Sequence, residues 1–162
     1  MISSKKVFAL RRQMLSAALI MLAALPDISA TPAADESPKA LIAKWDQGTA
    51  TIEVTNYPVA ARAGYELFAV RCARCHKLAR SVNADYVLPD EWEPRIERMR
   101  NKWFSGIDKE TGKRILDFLV YDASVRKKPR MDAALAKLSA ESRKAAEDRI
   151  MEIRLRCENK AP

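Results

Sequence analysis

The feature that most constrains this chain is the five-residue segment Cys72-Ala-Arg-Cys75-His76 near its middle. Two thiols three positions apart lie on the same side of one helical turn, and an imidazole follows directly after the second thiol. These three side chains can hold one planar group together, with the thiols at its edge and the imidazole at a metal in its centre. A fold for this chain therefore has to leave space beside the segment for such a planar group.

Cys-x-x-Cys-His is the attachment signature of c-type haem. Each thiol adds to one vinyl group of the haem, and the histidine ligates the iron. Two other chemistries use similar residues: a redox-active cysteine pair, which needs a βαβ context that we do not find here, and a Cys₃His zinc site that would also use Cys157. The sequence predicts one covalent haem c, bound by Cys72, Cys75 and His76.

Residues 1–30 show the three parts of a secretory signal peptide: a basic start, a short apolar run from Met14 to Leu25 and a small-residue end at Ile28-Ser-Ala30. The apolar run is shorter than the about 20 residues that span a bilayer. We therefore expect an exported protein, in the periplasm or an equivalent compartment. An uncleaved N-terminal anchor is the alternative.

The charge balance bears on partners. The predicted signal peptide carries four basic residues and one aspartate, so its removal lowers the formal net charge from +8 to +5. This mild excess lacks the pattern of a nucleic-acid-binding surface, and we expect no nucleic-acid partner. A mildly cationic surface steers a protein toward an acidic one. We expect a redox protein with an acidic docking surface, and association with a membrane complex through another subunit stays open.

The residues that flank the motif resemble a known family. Gly64 and Phe68 stand eight and four positions before the first motif cysteine, and Ile115 is followed three positions later by Phe118 and then by leucine. In these features residues 58–121 resemble the class I cytochrome c family. The resemblance implies an all-α fold of three to four helices around one covalent haem. It also implies that the first and last of these helices cross, so that Gly64 and Phe68 meet Ile115 and Phe118.

The second iron ligand is expected to be Met99. His76 is the only histidine in the chain, so two imidazoles from one subunit cannot both ligate the iron. The other strong haem ligand is a methionine thioether. The resemblance implies a methionine between the motif and the last family helix, where Met99 stands, whereas Met131 and Met151 lie beyond that helix. The predicted metal ligands are His76 and Met99.

Further cofactor contacts are implied by the same resemblance. In the family, a proline-containing loop about a dozen residues after the histidine orients its ring, and Leu88-Pro89 occupies that place. Trp92 is expected to cover a haem edge or to bond a propionate, with an ordinary core position as the alternative. Four basic side chains are further candidates for the propionates or the haem edge: Arg80, Arg95, Arg98 and Lys102.

The chain divides into four expected segments. Residues 1–30 are the signal peptide, 31–56 an N-terminal arm or small hairpin, 57–128 the cytochrome c domain and 129–162 a C-terminal helical extension. The hairpin is predicted from two runs that flank a glycine-containing turn, with Trp45 and Ile52 facing inwards, and a disordered arm is the alternative.

Cap signals and charge patterns refine this division. Ser105 or Asp108 is expected to cap the last helix of the domain, and Ser139 to cap a helix of the extension. The charge-rich extension either folds back on the domain or binds another subunit. Cys157, near its end, is expected to be an unpaired thiol.

Together these observations predict an electron carrier rather than an enzyme. The protein would transfer single electrons through a haem with His and Met ligands, as a free shuttle or as a subunit of a larger redox complex. The alternative is a haem enzyme, or a sensor of gas or peroxide, with an open or labile sixth position on the iron. That alternative requires Met99 not to ligate, and the chain has no second histidine to act as a distal acid or base.

Overall fold

The structure, a computed structural model, describes residues 37–159, and the predicted signal peptide lies outside them. The described residues form seven α-helices and no strand, which confirms the all-α class. The helices are α1 (Pro38–Trp45), α2 (Val59–Cys72), α3 (Leu78–Val82), α4 (Pro89–Arg100), α5 (Lys109–Arg126), α6 (Lys128–Ala136) and α7 (Ala140–Asn159).

The N-terminal arm contains a helix where we expected a hairpin, so that prediction was wrong. Ser37 caps α1, its hydroxyl accepting a backbone hydrogen bond at 3.3 Å, and Pro38 occupies the first helical turn. These two signals start a helix at the residues where we expected the first strand of the hairpin. The β-branched run that follows forms neither helix nor strand. The expected inward side chains are confirmed, because Trp45 and Ile52 are both buried.

Helices α2 and α5 cross at the centre of the fold. A Cβ atom placed on Gly64 would lie 2.7 Å from the Cβ of Phe118 and 2.8 Å from the carbonyl oxygen of Arg114, so only glycine allows this approach. Phe68 and Phe118 are fully buried, with ring centroids 5.4 Å apart. The expected contacts of Gly64 and Phe68 with Phe118 are confirmed, and Ile115 lies in the same buried cluster.

Helix α4 begins with a proline in its first turn and an acidic side chain that binds the backbone before it. Pro89 is its first residue, and the carboxylate of Glu91 accepts hydrogen bonds from the backbone N–H groups of Val87 and Leu88, each at 2.8 Å. Pro94 lies inside the helix without ending it. Helices α2 and α4 both pack on α5.

Asp108, and not Ser105, caps α5. The Asp108 carboxylate accepts a hydrogen bond from the backbone N–H of Thr111 at 2.7 Å. Ser105 lies in the preceding loop, where its hydroxyl donates to the carbonyl oxygen of Arg100 at 3.3 Å.

The C-terminal extension folds back on the domain, which is the first of the two alternatives. The hydroxyl of Ser139 accepts a hydrogen bond from the backbone N–H of Ser142 at 3.2 Å and caps α7 as predicted. Helix α7 packs on α2, α4, α5 and α6. Within residues 37–159, no helix has the length and the apolar character needed to cross a membrane.

Candidate haem-attachment site

The motif lies on the turn that ends α2. Cys72 is the last residue of the helix, and the backbone N–H of Cys75 donates to the carbonyl oxygen of Cys72 at 3.4 Å. Both thiols are free; Cys72 is half-buried and Cys75 exposed. Burial raises the pKa of the Cys72 thiol to about 12. A redox-active cysteine pair needs a lowered thiol pKa, so this environment opposes that interpretation.

The imidazole of His76 has one nitrogen satisfied and one without a partner. Its Nδ1 lies 2.9 Å from the carbonyl oxygen of Lys77. If Nδ1 carries the proton and donates it there, Nε2 carries the lone pair. Nε2 is buried and has no hydrogen-bond partner among the described residues. A buried polar atom without a partner costs about 1–3 kcal/mol, and a metal ion at Nε2 would remove that cost.

The ring of His76 is oriented by its neighbour in the chain and not by the segment that we expected. The structure gives that hydrogen bond to Lys77. Pro89 instead begins α4 with its side chain buried, and a contact between Pro89 and haem stays a prediction. The family likeness pointed to a loop twelve residues away, whereas the actual acceptor depends on the local backbone turn after His76.

Trp92 is buried on α4 with its indole N–H unsatisfied. Its Nε1 has no partner among the described residues, and its ring meets Tyr86 edge-on, with centroids 5.3 Å apart. A buried tryptophan N–H normally finds an acceptor. Trp92 therefore occupies a core position, which is one of the two alternatives that the sequence left open. Its unpartnered N–H is suited to an acceptor such as a haem propionate.

The three methionines downstream of residue 30 occupy different environments. Met99, in the last turn of α4, is partly buried against the same apolar cluster that Cys72 contacts. Met131 lies on α6 with 4% of its surface exposed, and fills the core, while Met151 is 62% exposed on α7. Met99 is thus the one that is partly buried at the edge of the core, and its bond to iron stays a prediction.

The zinc alternative is not favoured by the placement of Cys157. This residue is buried on α7 beside Ala61 and Tyr121, and its thiol donates to the carbonyl oxygen of Asp117 at 3.9 Å. Burial raises the pKa of Cys157 to about 11, which opposes the thiolate form that zinc requires. Residues 37–159 contain no cluster of three or more His, Cys, Asp or Glu side chains arranged to hold a metal.

Two of the basic candidates are engaged within the protein. Arg80 pairs with both carboxylate oxygens of Asp46, at 3.1 and 2.6 Å. The guanidinium of Arg95 lies 3.4 Å from the ring centroid of Tyr86. The other two candidates, Arg98 and Lys102, are exposed.

Sequence reasoning missed two arginines of the motif region. Arg74 donates to the carbonyl oxygen of Ser105 at 3.2 Å, and Arg71 has a buried Nε without a partner. Both guanidinium groups approach Gly106, whose positive φ of 63° turns the chain toward α5. Their positions inside the Cys-containing turn were visible in the sequence, but the loop that they contact was not. These contacts join the motif to the loop that follows Met99.

A cavity of about 910 Å³ lies elsewhere, between α4, α5 and α7. Its apolar floor includes Ile96, Leu116 and Ile153, and none of the motif residues lines it. The site is therefore defined by the chemistry of its side chains and not by this cavity.

No protein-family model, curated protein or solved structure matches this chain. The site accordingly rests on three features of the molecule. Two free thiols share one turn, the imidazole beside them has a buried nitrogen without a partner, and a thioether lies at the edge of the same core. These donors fit a covalently attached haem.

Proposed function

We propose that this protein is an exported monohaem c-type cytochrome that transfers single electrons. The observation that carries the proposal is the state of His76, which follows two free thiols and keeps a buried Nε2 without a partner. Cys72 and Cys75 would hold haem c through thioether bonds, and His76 and Met99 would be the iron ligands. Such a haem supplies an iron that takes up and gives back one electron.

The surrounding residues would position the group and bind its carboxylates. The carbonyl oxygen of Lys77, 2.9 Å from Nδ1 of His76, would fix the ring plane by accepting a hydrogen bond from that nitrogen. Trp92 and Arg71 each have a buried N–H without a partner, and a propionate is the kind of acceptor that such donors bind strongly. Pro89 and the apolar cluster around Trp92 would keep water from that part of the site.

The setting of this activity belongs to the same proposal. The N-terminal pattern supports export to the periplasm or an equivalent compartment, where the protein would act as a shuttle or as a subunit of a redox complex. The net positive charge supports a redox partner with an acidic docking surface.

The test is to express the full chain with the haem-attachment machinery and to record spectra of the oxidised and reduced protein, with and without carbon monoxide. We expect a covalent-haem spectrum, a weak far-red sulfur-to-iron band in the oxidised state, and no reaction with carbon monoxide. A colourless protein would contradict the proposal. Rapid carbon monoxide binding would instead favour the enzyme or sensor with an open iron position.

The same spectra assign the second ligand through two methionine variants. Met99→Ala should lose the far-red band and gain carbon monoxide binding while it keeps the covalent haem. Met151→Ala is the matched control, because this methionine is 62% exposed on α7, and should leave both properties unchanged. A far-red band that survived in Met99→Ala would exclude Met99 as the ligand.

A further inference from the structure

The loop at residues 101–106, between α4 and α5, presents two aromatic rings to solvent. Trp103 is 94% exposed and Phe104 46% exposed, whereas Trp45 and Trp92 are buried. The rings of Trp103 and Phe104 lie edge to face, with centroids 5.5 Å apart. Two adjoining exposed aromatic rings form a small apolar patch, and such patches are candidates for contact with a membrane or a partner.

Hydrogen bonds hold this loop in a defined turn. The backbone N–H of Lys102 donates to the carbonyl oxygen of Met99 at 3.0 Å, and that of Ser105 donates to the carbonyl oxygen of Lys102 at 2.9 Å. Ser105 is itself buried, and Arg74 donates to its carbonyl oxygen. The two rings are therefore presented at the tip of a fixed turn.

The loop also has basic side chains beside it that form no ion pair among the described residues. Three basic side chains flank the loop in sequence or contact it, and none of them forms an ion pair within residues 37–159: Arg74, Arg98 and Lys102. Arg100 pairs with Glu97. By contrast, the basic residues of α7 are widely paired with acids, as for Lys144, Arg149, Arg154 and Arg156. The tip thus combines apolar rings with unpaired cations.

We propose that the Trp103–Phe104 loop docks this protein on an anionic phospholipid membrane. Tryptophan is enriched at the membrane–water interface, and each nearby lysine or arginine adds attraction to anionic headgroups. A stable protein–protein interface fits this loop less well, because two aromatic side chains bury about 150–250 Å² each, against about 800 Å² per partner in such an interface. A single-stranded nucleic acid also fits less well, because rings inclined at 82° cannot both stack on successive bases.

Docking of this kind would keep the motif close to the membrane surface, since Arg71 and Arg74 join the motif to the loop. The inference goes beyond the proposed function and does not depend on haem. It is distinct from an N-terminal anchor, because the rings and the charges all belong to residues 71–104.

The test is co-sedimentation of the purified, exported full chain with vesicles of phosphatidylcholine that contain a minority of phosphatidylglycerol. We expect binding at low salt that weakens as salt rises, and weak binding to phosphatidylcholine alone. Trp103→Ala should weaken the binding about tenfold, and Lys102→Glu should weaken it in the same direction. Met151→Ala removes another exposed apolar side chain and should bind as the wild type does.

Three results would overturn the proposal: no binding to the anionic vesicles, equal binding of wild type and Trp103→Ala, or binding to a single-stranded oligonucleotide that excludes the vesicles. A changed haem spectrum in Trp103→Ala with unchanged vesicle binding would assign the ring to the cofactor and would also overturn it. Protein in the pellet is measured by gel, so a colourless preparation would contradict the proposed function and leave this test intact. Far-UV circular dichroism verifies that each variant is folded.

Discussion

Residues 71–100 and the helices α5 to α7 differ in how completely their buried polar groups are satisfied. Four buried side-chain nitrogens lack a partner among the described residues, and all four belong to the first region: Arg71, His76, Trp92 and Arg100. In the second region, the buried carboxylate of Asp122 accepts hydrogen bonds from Tyr57 at 3.0 Å and from Arg126 at 2.7 Å. Within the described residues, the buried side-chain polar atoms of α5 to α7 all have hydrogen-bond partners, whereas the motif region has buried donors and an acceptor that have none.

The extension accounts for part of this difference. Arg156 pairs with both carboxylate oxygens of Asp117, at 3.1 and 2.6 Å, and Arg154 donates to the hydroxyl of Ser124 at 2.8 Å. Ile153 adds a buried apolar side chain to the core. A domain of about 70 residues has a marginal core, and α7 enlarges the core that residues 57–128 form. The motif region can therefore leave polar groups unpaired while the rest of the fold supplies stability.

The largest expected effect is at the crossing of α2 and α5. Phe118→Ala should lower the free energy of unfolding by about 3–5 kcal/mol, because it opens a cavity beside Gly64 and Phe68. Phe104→Ala is the same substitution at a half-exposed ring and should change stability by less than about 0.5 kcal/mol. Urea unfolding of the two variants measures both values. Equal losses in the free energy of unfolding would mean that the crossing of α2 and α5 contributes no more to stability than the exposed loop does.

A second substitution tests whether α7 belongs to the core. Ile153→Ala should lower the free energy of unfolding by about 2–4 kcal/mol, because this side chain is 3% exposed against α4 and α5. Met151→Ala, two positions earlier and 62% exposed, should be close to neutral in the same urea titration. An Ile153→Ala protein as stable as wild type would mean that the extension does not stabilise the domain.

Much of the helical region followed from the sequence, because its signals are local or periodic. Asp108 and Ser139 cap helices at the predicted places, and Gly64 lies where two helices approach. The expected hairpin failed because β-branched residues near Ile52 suggested a strand, yet no neighbouring strand exists among the described residues to pair with it.

The candidate site was predictable only in part. The motif spacing identifies Cys72, Cys75 and His76 directly, since their chemistry depends on adjacent positions. The acceptor for His76 and the contact of Arg74 with the loop depend on tertiary packing, which a sequence pattern does not specify. The exposure of Trp103 was hidden for the same reason, because an aromatic residue in a sequence suggests burial by default.

A smaller effect is expected when the unpaired indole N–H is removed. If Trp92 donates to a propionate, Trp92→Phe in the haem-loaded protein should lower the free energy of unfolding by about 1.5–3 kcal/mol and shift the reduction potential. Trp45→Phe is the control, because the Nε1 of Trp45 already donates to Asp85 at 3.3 Å, and it should leave the potential unchanged. A potential unaffected by Trp92→Phe would make Trp92 an ordinary core residue.

The smallest effect concerns Lys127, the one strongly desolvated cation at the junction of α5 and α6. Burial lowers its pKa from 10.5 to about 8, although its Nζ donates to the carbonyl oxygen of Ala84 at 2.7 Å. Between these two pKa values residue 127 binds more protons in the unfolded chain, so the contribution of Lys127 to stability should rise with pH, by on the order of 1 kcal/mol for the first pH unit above the folded pKa. Lys127→Met should lack this rise in urea titrations. Parallel pH profiles of stability for the wild type and Lys127→Met would contradict this prediction.

The most direct test of the central claim is the intact mass of the exported protein under denaturing conditions, after expression with the haem-attachment machinery. The account predicts a polypeptide that carries the mass of one haem after unfolding, and a double variant with Cys72→Ala and Cys75→Ala that carries none. A mass equal to that of the bare polypeptide, from cells that load a known c-type cytochrome in parallel, would contradict the account.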